Sequence, residues 1–207
     1  EQFRVNGVEI ENCNYGIFRQ GARGEKKVLS GIINNCYIHD CRGDGIQWNV
    51  GYQDGPIAIK NNTIRNLNSD AAKAGRFWGI GIGVAGGRYS DDYKNTTKNF
   101  KITDNTVENV RQGIHIETGE SFEVKGNKVS INSKLSTKSS LDVAGIVTYG
   151  SKDFVIKDNI VVAPEGYAIW NSFGSLSKIG YLAPPKNYEI ISNTVTGRVV
   201  NWCSRRK

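Results

Sequence analysis

No methionine occurs anywhere in the 207 residues, and histidine occurs only twice. No stretch approaches the roughly 18 apolar residues that a membrane-spanning helix needs, so membrane insertion is not expected. No charged-then-apolar leader opens the chain. It begins in mid-pattern at Phe3-Arg-Val5 without a capping segment, and repeat stacks need caps. These absences predict one domain over residues 1–207 that is a piece of a longer chain. The four cysteines, Cys13, Cys36, Cys41 and Cys203, make no CxxC pair. Neither a zinc module nor a secreted disulfide framework is expected from them. Cys13 and Cys41 fall at equivalent places in successive repeats and read as core thiols. The formal charge of +7 comes from scattered Lys and Arg, apart from Lys26-Lys27 and Arg205-Arg206-Lys207. A nucleic-acid site needs a basic patch with interleaved aromatics, so nucleic acid is set aside as a partner. The charge points to an acidic partner of another kind.

What the chain does have is a recurrent apolar pattern, Φ-x-Φ-x-x-N-x-Φ, where Φ is apolar. It returns seven times at intervals of about 22 to 43 residues. The clearest copies are Ile57-Ala-Ile59-Lys-Asn-Asn62-Thr-Ile64, Phe100-Lys-Ile102-Thr-Asp-Asn105-Thr-Val107 and Phe122-Glu-Val124-Lys-Gly-Asn127-Lys-Val129. Phe154 to Val161 and Tyr188 to Val195 repeat it around Asn159 and Asn193, while Val8 and Cys36 take the Asn place in weaker copies. Most copies are followed by a Gly-Ile pair: Gly16-Ile17, Gly45-Ile46, Gly79-Ile80, Gly113-Ile114 and Gly145-Ile146. Period-2 alternation with β-branched residues and turn punctuation reads as short strands. Unequal strand repeats with no helical period predict an all-β fold, a right-handed parallel β-helix of the pectate-lyase-like solenoid kind with about seven coils. The asparagines are expected to stack as an internal amide ladder. Long polar stretches at 68–77 and 85–99 flank the strand Gly79 to Val84, and long loops of this kind are commonly functional.

Alternation along the Gly-Ile strands assigns Ile46, Trp48, Ile80, Ile82, Val84, Ile114 and Ile116 to the interior. It places Gln47, Asn49, Gly81, Gly83, His115, Glu117 and Tyr149 outside. Successive coils lie about 4.8 Å apart. The outward residues would then form one wall, with Gly81 and Gly83 as the bare floor of a groove suited to an extended polymer. Glycoside cleavage uses two carboxyl groups roughly 5–5.5 or 6.5–9.5 Å apart. Glu117 is the outward carboxylate of this wall, Asp44 stands at the preceding turn of the strand carrying Gln47, and Asp91-Asp92 lie on an overhanging loop. The expected catalytic set is therefore Glu117, Asp44 and Asp92, with His115 positioning or protonating. The expected binding residues are Gln47, Asn49, Trp78, Gly81, Gly83, Tyr89, Tyr149 and Arg19. Each also has a plain structural reading: Asp44 as a turn residue, His115 as a hydrogen-bonded ring, Glu117 as a solvated carboxylate. No column of outward aspartates suggests the calcium site of a lyase, and no cofactor or metal is expected.

Four blocks carry a more specific resemblance: Asn14-Tyr-Gly-Ile-Phe-Arg-Gln-Gly21, Gly43-Asp-Gly-Ile-Gln-Trp-Asn-Val50, Trp78-Gly-Ile-Gly-Ile-Gly-Val-Ala-Gly86 and Gly113-Ile-His-Ile-Glu-Thr-Gly119. With the loop Tyr89-Ser-Asp-Asp-Tyr93, they resemble the colanic-acid-associated β-helix proteins. That group includes a protein of the bacterial colanic acid cluster and colanic-acid-degrading tailspikes of bacteriophages. The resemblance implies a parallel β-helix, an acidic polysaccharide ligand and a homotrimer. For the tailspikes it also implies an endoglycosidase acting from the virion at the bacterial surface. The alternative it implies is a non-catalytic, biosynthesis-associated β-helix of the bacterial periplasm. The group often has glutamate where this chain has Gln47, and such an acid-to-amide change would leave binding and remove catalysis.

Overall fold

The computed structural model describes residues 2–20, 30–49, 55–68, 79–85, 97–135, 143–172, 174–176 and 181–201. They build seven coils of a parallel β-helix. The first coil holds β1 (Gln2–Asn6), β2 (Glu9–Glu11) and β3 (Ile17–Gln20); the second holds β4 (Ser30–Asn34), β5 (Tyr37–His39) and β6 (Ile46–Asn49). The third holds β7 (Ile57–Lys60), β8 (Thr63–Arg65) and β9 (Ile80–Ala85), and the fourth β10 (Thr97–Thr103), β11 (Thr106–Val110) and β12 (Gln112–Glu117). The fifth holds β13 (Gly119–Lys125), β14 (Lys128–Ile131) and β15 (Ala144–Tyr149). In the sixth, β16 (Lys152–Lys157) precedes the long β17 (Ile160–Ser172), which serves two faces. A short antiparallel hairpin, β18 (Gly174–Leu176) and β19 (Tyr181–Ala183), leads to the last coil, β20 (Lys186–Ile191) and β21 (Thr194–Asn201). One seven-stranded parallel sheet runs β1-β4-β7-β10-β13-β16-β20. A second runs up through β2, β5, β8, β11 and β14, turns over at β17, and returns through β15, β12, β9, β6 and β3. Among the described residues no helix is long and apolar enough to cross a membrane.

The repeat explains each coil. Its two leading apolar residues face inward: Phe100, Phe122, Phe154 and Tyr188 stack at 4.7, 4.7 and 5.2 Å between neighbouring centroids, with interplanar angles of 9°, 3° and 12°. Beneath them Ile59, Ile102, Val124 and Ile156 form a fully buried row. Burial of each such side chain contributes roughly 1.5–3 kcal/mol. The residue before each asparagine takes a left-handed backbone, as at Asn61 (φ 56°), Asp104 (56°), Gly126 (67°) and Asp158 (56°). Asn, Asp and Gly tolerate that conformation best, which is why they recur there.

The expected amide ladder is present. The Nδ2 groups of Asn62, Asn105, Asn127 and Asn159 each donate to the Oδ1 of the next coil's asparagine at 2.9 Å, ending on Asn193. The same Oδ1 atoms accept the backbone N–H of the preceding coil's asparagine, and each Nδ2 also donates to a carbonyl such as Ile33 O or Ile59 O. At the rung where Cys36 replaces asparagine, its backbone N–H donates to Asn62 Oδ1 at 3.0 Å and the ladder stops. Cys36 and Cys41 are buried thiols, and Cys13, in the end coil, is exposed; Cys203 lies outside the described residues.

Candidate functional site

The Gly-Ile pairs sit at a corner, and the corner breaks the alternation. A Cβ on Gly81 would run into the Val107 side chain and come within 2.7 Å of Gly113 O; one on Gly45 would meet Ile64 at 2.6 Å. The column Gly45, Gly81, Gly113 and Gly145 therefore faces the facing strand across the coil, and Ile46, Ile82, Ile114 and Ile146 after it face the core as well. Two successive inward positions are allowed because the first has no side chain. Gly81 is thus an inner packing glycine and no groove floor, which corrects the expectation. Ile80, expected inside, is buried, but it pairs laterally with Gln112 and packs apart from the main core cluster.

Outside, three rows cross the coils. The first passes through Ile80, Gln112, Ala144 and Tyr167. The second passes through Phe18, Gln47, Gly83, His115, Val147 and Trp170. The third passes through Gln20, Asn49, Ala85, Glu117, Tyr149 and Ser172. Gln47, Gly83, His115, Glu117 and Tyr149 are therefore brought together as neighbours. Gly83 does face outward, and the Gln47 carboxamide oxygen fills the space its Cβ would take. Arg19 is elsewhere: it stands in the inward column, its guanidinium 5.2 Å over the Trp48 ring, which also stacks on Phe3. Trp78, Tyr89, Asp91, Asp92 and the side chain of Asn49 lie outside the described residues.

The face is outward by register yet closed to water along much of its length. Asp44, Arg111 and His115 are 2%, 1% and 4% exposed. Asp44 Oδ1 accepts the Ile80 N–H at 2.8 Å. Burial pushes its carboxyl up to about 6, against the pull of that bond and of the His115 and Arg111 charges. Burial likewise draws the Arg111 guanidinium down, opposed by Asp44 and Tyr149. His115 Nδ1 donates to Gln112 Oε1 at 2.7 Å, and Nε2 lies 2.9 Å from Glu117 Oε1, so a ring carrying both protons donates to both. The Glu117 side chain is 30% exposed and marks where the buried network reaches the surface. Among the described residues no group of three or more His, Cys, Asp or Glu is arranged to hold a metal ion.

Beyond Glu117 the face turns aromatic. Tyr149 lies 5.4 Å from the His115 ring and 5.7 Å, edge-on, from Trp170; Tyr167 lies 4.7 Å from Trp170, and the Arg198 guanidinium stands 4.4 Å over Tyr167. These rings are partly exposed. Arg111, Tyr167, Trp170 and Arg198 were not anticipated from the sequence. In the sixth coil the Gly-Ile pair becomes Ala168-Ile169, which hides the register. Aligning Ala168 with Gly145 would have placed Tyr167 and Trp170 outside. A rigid platform of rings beside an arginine and a carboxylate can hold sugar rings by their apolar faces and anionic groups by charge.

The comparisons with known proteins agree with one another. Residues 1–205 match the protein family described as "Colanic acid biosynthesis WcaM". A "Colanic acid biosynthesis protein WcaM" of Shigella flexneri is 34% identical over 194 residues, covering 90% of this chain and 39% of the relative. One of Salmonella typhimurium is 32% identical over 207 residues, covering 96% of this chain and 42% of the relative. The chain spans about two fifths of the length of the curated relatives it matches. These findings overturn the reading as a hydrolytic bacteriophage tailspike carried on a virion. The matched family and both bacterial relatives are named for colanic acid biosynthesis. The chain belongs to this colanic acid biosynthesis family.

Proposed function

We infer that this member of the colanic acid biosynthesis family is a non-catalytic, biosynthesis-associated β-helix that binds an acidic exopolysaccharide of the colanic acid kind. The observation that carries this reading is the partly exposed platform of Tyr149, Trp170 and Tyr167 on the outer face of the parallel sheet, with Arg198 and Glu117 at its margins. Sugar rings present apolar C–H faces that pack on aromatic faces, and their carboxylates suit arginine. A sheet stapled by the amide ladder holds these rings in fixed relation, so little ordering cost falls on the protein when a chain binds. His115, itself held by Gln112, holds Glu117 by a hydrogen bond, and Glu117 serves as an acceptor for sugar hydroxyls. Calorimetric titration of the chain with purified colanic acid tests this. Trp170→Ala and Tyr149→Ala should each weaken binding about tenfold, the scale of one lost stacking contact of about 1–1.5 kcal/mol. Prolonged incubation should release no new reducing ends. Equal binding by both variants, or released oligosaccharides, would end this reading.

A further inference from the structure

The lysines that look scattered along the sequence are aligned by the coils. The seven strands of the sheet β1-β4-β7-β10-β13-β16-β20 hold eight Lys or Arg and four Asp or Glu, whereas β3, β6, β9, β12 and β15 together hold only Arg19 and Glu117. The excess on this one sheet accounts for more than half of the chain's formal +7. One outward row passes through Lys98, Glu120, Lys152 and Lys186, and another through Thr103, Lys125 and Lys157. Each glutamate is shared by two lysines. Glu120 lies 3.2 Å from Lys98 Nζ and 3.3 Å from Lys152 Nζ; Glu123 lies 3.0 Å from Lys157 Nζ and 3.8 Å from Lys101 Nζ. The Lys157 hydrogen bond holds the Glu123 carboxyl below its usual range. Both clusters therefore keep a net positive charge, and Lys101, Lys125 and Lys186 are exposed.

The same face carries a groove. Asn99, Ser121 and Asp153 carry left-handed backbones (φ 55°, 53° and 55°) at equivalent places in successive coils. The groove, of about 840 Å³, lies beside these positions and extends across the coils from Gln2 and Arg4 to Lys101, Glu123 and Asp153; its own charged lining cancels, and the cationic excess lies in the lysine rows beside it. Its floor is lowest at Ala58, where the neighbouring coils place Ile32 and Lys101.

We propose that the lysine rows flanking this groove on the outer face of the seven-stranded sheet form a second binding track, which takes a carboxylate-bearing polysaccharide lengthwise along the solenoid. It rests on the polysaccharide-binding reading above and adds a site to it. A polymer lying across the coils meets a new cation every coil or two, about 5–10 Å apart. Its charges add over the length of the contact, and the attraction is screened by salt.

The test uses two variants with the same loss of charge. The first carries Lys101→Gln, Lys125→Gln and Lys186→Gln on the proposed track. The second carries Arg42→Gln, Lys128→Gln and Lys134→Gln on other parts of the surface. Polygalacturonate, native colanic acid and carboxyl-reduced colanic acid serve as probes. The track variant should bind the two anionic polymers about tenfold more weakly than the parent at low salt, a difference lost as the screening length shrinks to about 3 Å near 1 M. The off-track variant should bind as the parent does. Equal weakening of both variants overturns the track in favour of net charge, and no weakening of either overturns it outright. Binding of polygalacturonate but not of colanic acid keeps the track and sinks the colanic acid reading. Equal parental binding of native and carboxyl-reduced colanic acid keeps the aromatic platform and sinks the track.

Discussion

The two long faces of this solenoid are built from the same repeat and differ in where their charge resides. The glycine-strand face has almost no charge in its strands, yet it buries an aspartate, an arginine and a histidine within one network. The seven-stranded face is rich in charge and keeps it at the surface, in pairs that compensate only in part. Buried charges are costly to leave unmatched, whereas charges near the surface, as in these half-buried pairs, are screened by solvent and stay within a ligand's reach. The first face therefore puts its polar chemistry into holding a shape, and the second presents it outward.

The sharpest way to break the comparison is at the corner of the glycine face. Gly81→Val should destabilise the chain by about 3 kcal/mol or more, because its side chain meets Val107 and a backbone carbonyl that cannot move aside. Gly83→Ala, two residues on, meets only the movable end of Gln47 and should cost about 1 kcal/mol or less. Urea denaturation of the pair checks this, and equal costs would refute the inward assignment of Gly81.

Asp44 gives the next effect. Its carboxyl is raised in the folded chain from 3.8 to about 6, so the folded state holds the proton more tightly. The stability from that proton is fully present below about pH 4 and is lost as pH rises through 6, by about 3 kcal/mol at most. Comparing melting temperature against pH for the parent and Asp44→Asn should show this slope in the parent alone. A parallel pair of curves would mean that Asp44 is not the titrating group.

Asn105→Ala, in the middle of the ladder, should cost about 2 kcal/mol, since it strands buried partners on both sides. Asn193→Ala, at the end and partly exposed, should cost about half as much. On the seven-stranded face Lys101→Ala should shift stability by no more than about 0.5 kcal/mol, because Lys101 is exposed and its contact with Glu123 is long at 3.8 Å. A larger loss there would show that the lysine rows are structural, which would narrow the contrast between the faces.

The architecture was legible because the repeat encodes it chemically. Phe100, Phe122, Phe154 and Tyr188 stand at one fixed distance before an asparagine, and only stacked coils bring such residues into contact. The outward placement of His115, Glu117 and Tyr149 followed from simple alternation. Gly81 and Ile80 were misread, since alternation assumes a flat strand and the glycine column is a corner; Arg19 stands in register with Trp48, where the same alternation puts it inside. The burial of Asp44, Arg111 and His115 was not legible, because period-2 patterning reports sidedness and says nothing of what covers a side. The lysine rows were missed for a different reason. Residues 22 to 34 positions apart look unrelated along the chain, yet become neighbours once coils of unequal length are laid in register.

The ladder that sets this register joins residues 43, 22, 32 and 34 apart with the same 2.9 Å contact. Each rung therefore acts as an address that does not depend on how much chain precedes it. Segments between rungs can lengthen, shorten or be exchanged while every other coil keeps its neighbours. A whole coil could be duplicated or deleted by joining one asparagine to another, and the surface rows would shift by one step without tearing. Diversity in such a chain is expected to accumulate as inserted loops and copied turns, with the amide line left as the shared thread.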